Sequence, residues 1–368
     1  MNILCLDQFS DLGGAQRCLL DLLPALVRRG WNVQVAAPGN GELLRRAAAA
    51  GATPDSIHCG PYSSGKKTPG DVARFAVETP RLAGEIARLA RRCAADLIYV
   101  NGPRLLPAVA IGARGGRRVL FHAHSRLDGY TLRLAGRSLA MRHASVAASC
   151  RFAGSPLLPY LGERGFRVVY NGVSPMLSVR PAHNLAELRA GVIGRISPEK
   201  GQADFLRAAR IVYRELPQSR FVICGAPLFG DPKASRYQEE LRRLAVDLPV
   251  EFTGWTDNVP GVLDTLDLLV VPSSAVDATP RVILEAFAAG VPVMAFASGG
   301  IPEMIEPGVT GFLVDQRSPE PLATTMLELL GQPCRMRETA GRARMNACND
   351  FSLERYQEEM IAAIEAAL

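Results

Sequence analysis

Short apolar runs closed by Gly, Pro, Asn or Ser recur along the whole chain, and the stretches between them carry apolar residues at helical spacing. In the first half the runs are Asn2 to Asp7, WNVQVAAP, DSIHC, DLIYVNG, RRVLFHAHS and RVVYNGVSP. In the second they are the start of LRAGVIGR, then RFVICGAP, VEFTGW, LDLLVVPS and VPVMAF. DLIYVNG is continuously apolar, as a strand covered by helices on both faces is. The intervening stretches predict helices running up to Arg29, over GELLRRAAAAG, over DVARFAVETPRLAGEIARLARRCAA with a break or bend at Pro80, over RLDGYTLRLAGRSLAMRHASVAA, and over the terminal SLERYQEEMIAAIEAAL. Strands and helices alternating twice over predict the α/β fold class, with a parallel sheet in each half.

At 368 residues the chain exceeds a usual single core, so two domains are expected. SVRPAHNLAE lacks apolar periodicity and reads as the linker, which sets the domains at 1–180 and 181–350 with 351–368 as a closing helix. CGPYSSGKKTPGD, with its adjacent lysines, reads as an exposed loop that either grips an acceptor or merely connects. Apolar content of 48% and charge of 21% describe a soluble globular protein. No run approaches the ~18 to 20 apolar residues of a spanning helix, and MNILCLDQFS has neither a basic region nor a cleavage site, so a cytosolic location is expected. The eight cysteines are scattered with no C-x-x-C pair and read as reduced thiols. His122 and His124 place two rings on one face of a strand, but no third ligand stands nearby, so no metal is expected.

Charge is divided unevenly. Residues 1–180 carry 24 Lys and Arg against 11 Asp and Glu, a balance of +13, and residues 181–368 carry 18 against 25, a balance of −7. A basic half predicts an anionic partner: a membrane surface, a lipid phosphate or nucleic acid. The stretch holding Arg126, Arg133, Arg137 and Arg142 among Leu, Ala and Met suits a membrane surface, as it also suits an ordinary solvated helix. Nucleic acid ranks last, because the phosphate-directed elements also occur in the acidic half.

Those elements sit at strand-to-helix turns. Asp277 and Glu285 lie eight residues apart with Thr279 and Pro280 between them. Thr279 suits a helix cap and Pro280 the first helical position, so the following VILEAFAA is expected to be helical, with bare N–H groups at its start that attract phosphate and with Arg281 and Val282 among the donor-binding candidates. Gly299 and Gly300 let the chain turn closely before Pro302 and Glu303 open a second such helix. Gly13 and Gly14 form a comparable turn after the first strand, without the full G-x-G-x-x-G pattern. Arg195 and Lys200 sit five apart across another turn, so both cations can converge on one anion. His124 is placed where ligands collect in open sheets, beyond a strand's carboxyl end.

These motifs resemble the family-4 retaining glycosyltransferases. The match spans nearly all of the chain: GGAQR near the start, the strand-end His124, VVYNGV, the Gly-Arg-(x4)-Lys-Gly of Arg195 and Lys200, and two acids separated by seven residues before Gly-Gly-x-x-Glu. One departure is Asp277, where the family usually has Glu, one methylene longer. The resemblance implies a GT-B fold of two facing Rossmann-like domains with a cleft between them, the acceptor on the basic first domain and a UDP- or GDP-sugar on the second. It further implies that Gly13 and Gly14 face the donor phosphate, that Arg195 and Lys200 hold the diphosphate, and that His124 and Asp277 contact the transferred sugar. Glu285 would hold the ribose hydroxyls, Gly225, Gly254 and Trp255 would ring the base, and the terminal helix would cross back to the first domain. The implied activity is metal-free, cofactor-free transfer with retention to a glycan or polyprenyl-linked acceptor, in cell-surface polysaccharide or glycolipid synthesis at the inner membrane face. A nucleotide-sugar epimerase and a non-catalytic nucleotide-sugar-binding protein are the alternatives. The sugar, the base, the acceptor and the oligomeric state are not written in any motif.

Overall fold

The computed structural model describes residues 1–60, 69–113, 115–176, 188–227, 232–273 and 277–368. Of the lysine-bearing loop expected over CGPYSSGKKTPGD, residues 61–68 lie outside them while Pro69, Gly70 and Asp71 open a helix, and the expected linker lies outside them too. The described chain divides into two compact units, Met1–Asn171 with Leu353–Leu368, and Gly172–Ser352. These divisions fall near the expected 180/181 and 350/351 but not at them. Asn171 stays with the first unit because its side-chain oxygen accepts from Cys18 Sγ at 3.1 Å. Val173 N instead donates to Phe351 O at 2.9 Å in the second.

The first unit holds strands β1 (Asn2–Leu6), β2 (Asn32–Pro38), β3 (Thr53–Ile57), β4 (Leu97–Val100), β5 (Arg118–Ala123), β6 (Ser145–Ala148) and β7 (Arg167–Val168). They form one parallel sheet in the order β3-β2-β1-β4-β5-β6-β7. Side chains alternate between its faces. Leu4, Leu6, Ile98, Val100 and Phe121 pack under helices Pro69–Arg92, Leu106–Gly112 and Gly129–Arg142. Ile3, Cys5, Val35, Tyr99 and Leu120 pack under Gly14–Arg28, Glu42–Ala49 and the terminal Leu353–Glu365. Both faces are thus dry, which is why the strands read as apolar runs rather than alternations.

Two expectations for this unit need correction. The helix expected to run on to Ala148 stops at Arg142, because His143 adopts a left-handed conformation (φ 47°) and Ser145–Ala148 enters the sheet as β6. Of the break or bend expected at Pro80, the break does not occur: helix Pro69–Arg92 continues through it, with Thr79 Oγ1 donating to the Phe75 carbonyl at 2.6 Å.

The second unit repeats the plan with β8 (Arg189–Ile193), β9 (Arg220–Cys224), β10 (Val250–Gly254), β11 (Leu268–Val271), β12 (Val293–Phe296) and β13 (Phe312–Val314), ordered β10-β9-β8-β11-β12-β13 and parallel throughout. Its core joins Val192, Phe205, Phe221, Ile223, Val270, Met294 and Met326. On the other face Ile283, Leu284 and Phe287 of Arg281–Ala289 are fully buried.

The terminal helix completes the first core. Tyr356 is 1% exposed, and its hydroxyl donates to the Cys18 carbonyl at 3.0 Å. Tyr356→Ala should therefore cost the first unit about 4 kcal/mol in urea unfolding. A loss below about 1 kcal/mol would show that the helix merely lies on the surface.

Candidate active site

In the second unit the chain runs outward from β8 through β9 and β10, then returns to form β11 on β8's other side. Strand order reverses between β8 and β11. In an open parallel sheet the crevice beyond the carboxyl ends at such a point is where ligands collect. Arg195 and Lys200 follow β8, the segment from Asp277 to Glu285 follows β11, and Gly299 and Gly300 follow β12. Gly225 and Trp255 follow β9 and β10.

Close backbone contacts fix these turns. The turn Pro198–Lys200 ends in Gly201 (φ 70°), where a β-carbon would overlap the Pro272 carbonyl at the end of β11. Lys200 is thereby drawn to β11, and its Nζ donates to Asp277 Oδ2 at 2.6 Å across a sequence gap of 77 residues. Gly299 (φ 58°) lies against the Asp277 carbonyl so closely that a β-carbon would overlap it, and Gly300 N donates to that same oxygen at 3.0 Å. Asp277 is held at its backbone by β12 and at its carboxylate by β8. Ser298 Oγ also donates to the Ser273 carbonyl at 2.5 Å, tying the two loops together.

Lys200 pairs with Asp277, while Arg195 Nη2 pairs with Glu199 Oε1 at 2.5 Å. Each side chain is roughly three-quarters buried, so a nearby carboxylate offsets the loss of water. Gln202 Nε2 donates to the Arg195 carbonyl at 2.8 Å and steadies that loop. Glu285 lies 3.9 Å from Arg281 Nε, one helical turn away, and both are mostly buried.

Two helix starts differ from expectation. The helix begins at Arg281, with Pro280 outside it as cap (ψ 109°), so Thr279 precedes the cap and Pro280 is not its first residue. After Gly300 only one 3₁₀ turn forms, Ile301–Glu303, because Pro307 and Gly308 soon interrupt any longer helix. Of the two helix starts expected there, only the one with Arg281 and Val282 in its first turn is an α-helix. Gly225 N donates to the Gly254 carbonyl at 2.8 Å, and Trp255 is 40% exposed.

In the first unit the order reverses between β1 and β4. Gly13 caps and Gly14 begins helix Gly14–Arg28, and Gln16 Oε1 accepts from Gly13 N at 3.0 Å. Gln16 also donates to Asp7 Oδ1 at 2.8 Å, and Asn101 Nδ2 donates to Asp7 Oδ2 at 2.6 Å. His124 Nε2 lies 2.8 Å from Asn101 Oδ1. His122 is buried beneath it, with ring centroids 3.8 Å apart and its Nδ1 2.6 Å from Tyr99 OH. Burial, and then the neighbouring His124, hold His122 well below the usual imidazole range. Asp7, Gln16 and Asn101 had not been singled out. Their signal was available: Asp7 and Asn101 are the polar residues that close the apolar runs of β1 and β4. Among the described residues no three His, Cys, Asp or Glu side chains are grouped to hold a metal ion.

Residues 12–176 match the family model described as Glycosyltransferase Family 4, and residues 187–332 match that described as Glycosyl transferases group 1. A GDP-mannose-dependent monoacylated alpha-(1-6)-phosphatidylinositol monomannoside mannosyltransferase of Corynebacterium glutamicum is 33% identical over 165 residues, 42% of this chain and 41% of that protein. A GDP-mannose-dependent alpha-(1-6)-phosphatidylinositol monomannoside mannosyltransferase of Mycobacterium tuberculosis is 37% identical over 150 residues, 38% of this chain and 37% of that one. The match spans less than half the length of these curated relatives. Among solved structures, Anabaena Alr3699/HepE in complex with UDP and glucose has a TM-score of 0.81 at 24% identity, covering 99% of both chains. The sucrose-phosphate synthase of Thermosynechococcus elongatus has a TM-score of 0.81 at 18% identity, covering 100% of this chain and 98% of that one. At these identities the likeness is one of fold, and the fold is of the α/β class, GT-B.

Two outcomes follow from the geometry. Gly299→Ala should cost the second unit about 2 kcal/mol or more in thermal or urea unfolding, since it adds left-handed strain and overlap with a fixed carbonyl. A melting curve unchanged by the substitution would mean that the Asp277 loop is not pinned there. For Asp7, burial raises the carboxyl from its usual range to about 6, against the opposing hydrogen bonds from Asn101, Phe9 N, Gln16 and Gln8 N. The folded state then binds the proton more tightly than the unfolded chain. Asp7's contribution to stability is thus fully present below about pH 4 and is lost as pH rises through about 6. Measured by urea unfolding, the stability of the wild type relative to Asp7→Asn should fall between pH 4.5 and pH 7; a rise would overturn burial as the dominant effect.

Proposed function

The chain belongs to the family-4 glycosyltransferases, and from that premise we propose that it is a retaining enzyme, moving a sugar from a UDP- or GDP-sugar to a glycan or lipid-linked acceptor. The observation that carries the reading is the Lys200–Asp277 pair, formed at the strand-order reversal with the N-terminus of Arg281–Ala289 close by in sequence. It joins a fixed cation to a carboxylate able to receive hydroxyl hydrogen bonds.

Transfer breaks the bond between the anomeric carbon and the diphosphate oxygen, and the electron pair leaves with the diphosphate. Arg195, Lys200 and the Arg281 helix start supply fixed positive potential as that charge develops. In this proposal they do so without a metal or cofactor. The acceptor hydroxyl oxygen bonds to the anomeric carbon on the face the diphosphate leaves, and its proton passes to the departing phosphate oxygen. No carboxylate nucleophile is assigned, so double displacement is not invoked. Asp277 and His124 are assigned to the sugar, Glu285 to the ribose, and Gly225 and Trp255 to the base. Gly13, Gly14, Thr279, Pro280, Val282, Gly299 and Gly300 are assigned as the close backbone around the donor.

The relatives' names support an anionic acceptor, since they specify phosphatidylinositol mannosides. The basic first half suits such a molecule and the surface of the membrane that carries it. Helix Gly129–Arg142 exposes Arg133 and Arg137 together with Tyr130 (60%) and Met141 (65%). No helix of the described residues is long and apolar enough to cross a membrane; the attachment proposed here is peripheral, from the cytoplasmic side. Salt should weaken binding to anionic vesicles more than to neutral ones. Equal sedimentation with both, unaffected by salt, would remove the membrane from the proposal.

The decisive experiment combines binding with turnover. UDP, GDP, ADP and their sugars are screened by thermal shift; the cognate nucleotide at about 100 times its dissociation constant should stabilise the protein by about 2.7 kcal/mol. Arg195→Ala and Lys200→Ala should each lower kcat by roughly 100- to 1000-fold, about 3 kcal/mol of barrier, and chelator should leave the wild-type rate unchanged. Binding without turnover would favour the non-catalytic reading. Turnover of donor to an epimeric sugar without acceptor would favour the epimerase.

A further inference from the structure

The first unit carries a buried polar chain that the proposed reaction leaves unused. It begins at Asp7, at the end of β1, whose two oxygens accept from Phe9 N at 2.9 Å, Gln16 Nε2 at 2.8 Å and Asn101 Nδ2 at 2.6 Å. Asp7 is 0% exposed and Asn101 4%. Asn101 Nδ2 donates a second time, to the Ala15 carbonyl at 3.1 Å. With two acceptors facing its nitrogen, the amide has only one workable orientation, and its oxygen must face His124.

That oxygen can only accept, so His124 Nε2, 2.8 Å away, must carry a hydrogen. We propose that Asp7 and Asn101 are positioning residues for His124, locking its ring in the Nε2–H form and at one angle. The contact to His124 rests on the transferase reading for its purpose, but the lock itself is a property of the folded unit. The ring's other nitrogen then carries no hydrogen whenever His124 is neutral. His122 provides the floor: its ring, tilted 43° to that of His124 with centroids 3.8 Å apart and anchored by Tyr99, limits movement of the imidazole away from Asn101.

The logic is that of a carboxylate orienting a catalytic histidine, with an amide interposed. The interposed amide matters chemically. It transmits orientation without offering a proton acceptor, so Asp7 fixes the tautomer while taking no part in proton transfer. A negative charge directly on the ring would raise its basicity; an amide oxygen does so far less.

The test reads the tautomer directly. In the wild type, imidazole nitrogen NMR at pH 8 should show His124 with a pyrrole-like Nε2 and a pyridine-like Nδ1. A dominant Nδ1–H form would overturn the proposal without any variant. Asn101→Leu, of nearly the same volume, should release the ring to a mixture of both forms, and Asp7→Asn should do so partly by freeing the Asn101 amide to turn. Folding of each is checked by its melting curve, and where Asp7→Asn does not fold, Asn101→Leu, with Asn101→Ser as substitute, decides. With a donor identified, kcat should fall about 100-fold with the donor KM within about threefold. Unchanged His124 nitrogen shifts in a folded Asn101 variant would overturn the lock. A released tautomer in a protein that transfers no sugar would instead uphold the lock and sink the transferase reading.

Discussion

Backbone meets backbone beyond the carboxyl ends of the second sheet with no room for a β-carbon, and the chemistry of that unit hangs on these contacts. Gly201 lies on the Pro272 carbonyl and Gly299 on that of Asp277. The first contact couples the turn after β8 to the end of β11; the second couples the turn after β12 to the loop that follows β11. Lys200 and Asp277 are far apart in sequence and would otherwise pay the side-chain entropy that leaves most surface ion pairs nearly worthless. Here the turns that carry them are already fixed by main-chain packing, so the pair forms at 2.6 Å with both groups mostly shielded from water. A charge held this way needs little rearrangement when a second anion develops nearby, which is the condition for electrostatic catalysis.

The same logic explains which parts of the molecule were legible in the sequence. Long apolar runs closed by polar residues marked β1, β2, β4, β5, β8, β9 and β11, because strands covered on both faces leave an unbroken signal. Strand β6 was hidden because Ser145–Ala148 is short and follows helical spacing without Gly or Pro; only the left-handed turn at His143 separates them. Strand β13, three residues long, leaves too little periodicity to read. Helix starts were misplaced by one or two residues at Pro280, where proline serves equally as cap or first residue until its ψ angle is known. After Gly300 the reading extended a helix that Pro307 and Gly308 do not allow.

The site shows a sharper division. Motif spacing singled out Arg195, Lys200, Asp277 and Glu285, but could not say which charges pair, because pairing depends on contacts across the sheet. Arg195 turns to Glu199 within its own turn, and Glu199 had not entered the reading. Asp7, Gln16 and Asn101 escaped notice for a related reason. Each is unremarkable locally, and their meaning arises only when β1 and β4 are brought side by side by the parallel register that pairs Leu6 with Val100.

The two units share one topology and use it with opposite electrical sense. Both sheets reverse strand order at their first strand, between β1 and β4 and between β8 and β11. At the second reversal Lys200 and Arg195 stand in the open end of the sheet. At the first the charged group is a carboxylate, Asp7, buried and surrounded by hydrogen-bond donors, and it reaches the surface only through the neutral amide of Asn101 and the ring of His124. A point with fixed cations favours phosphate. A point that presents an oriented polar ring suits hydroxyl groups. One fold used twice carries two different polar sites because the residues at its reversal points differ, while the sheets beneath them do not.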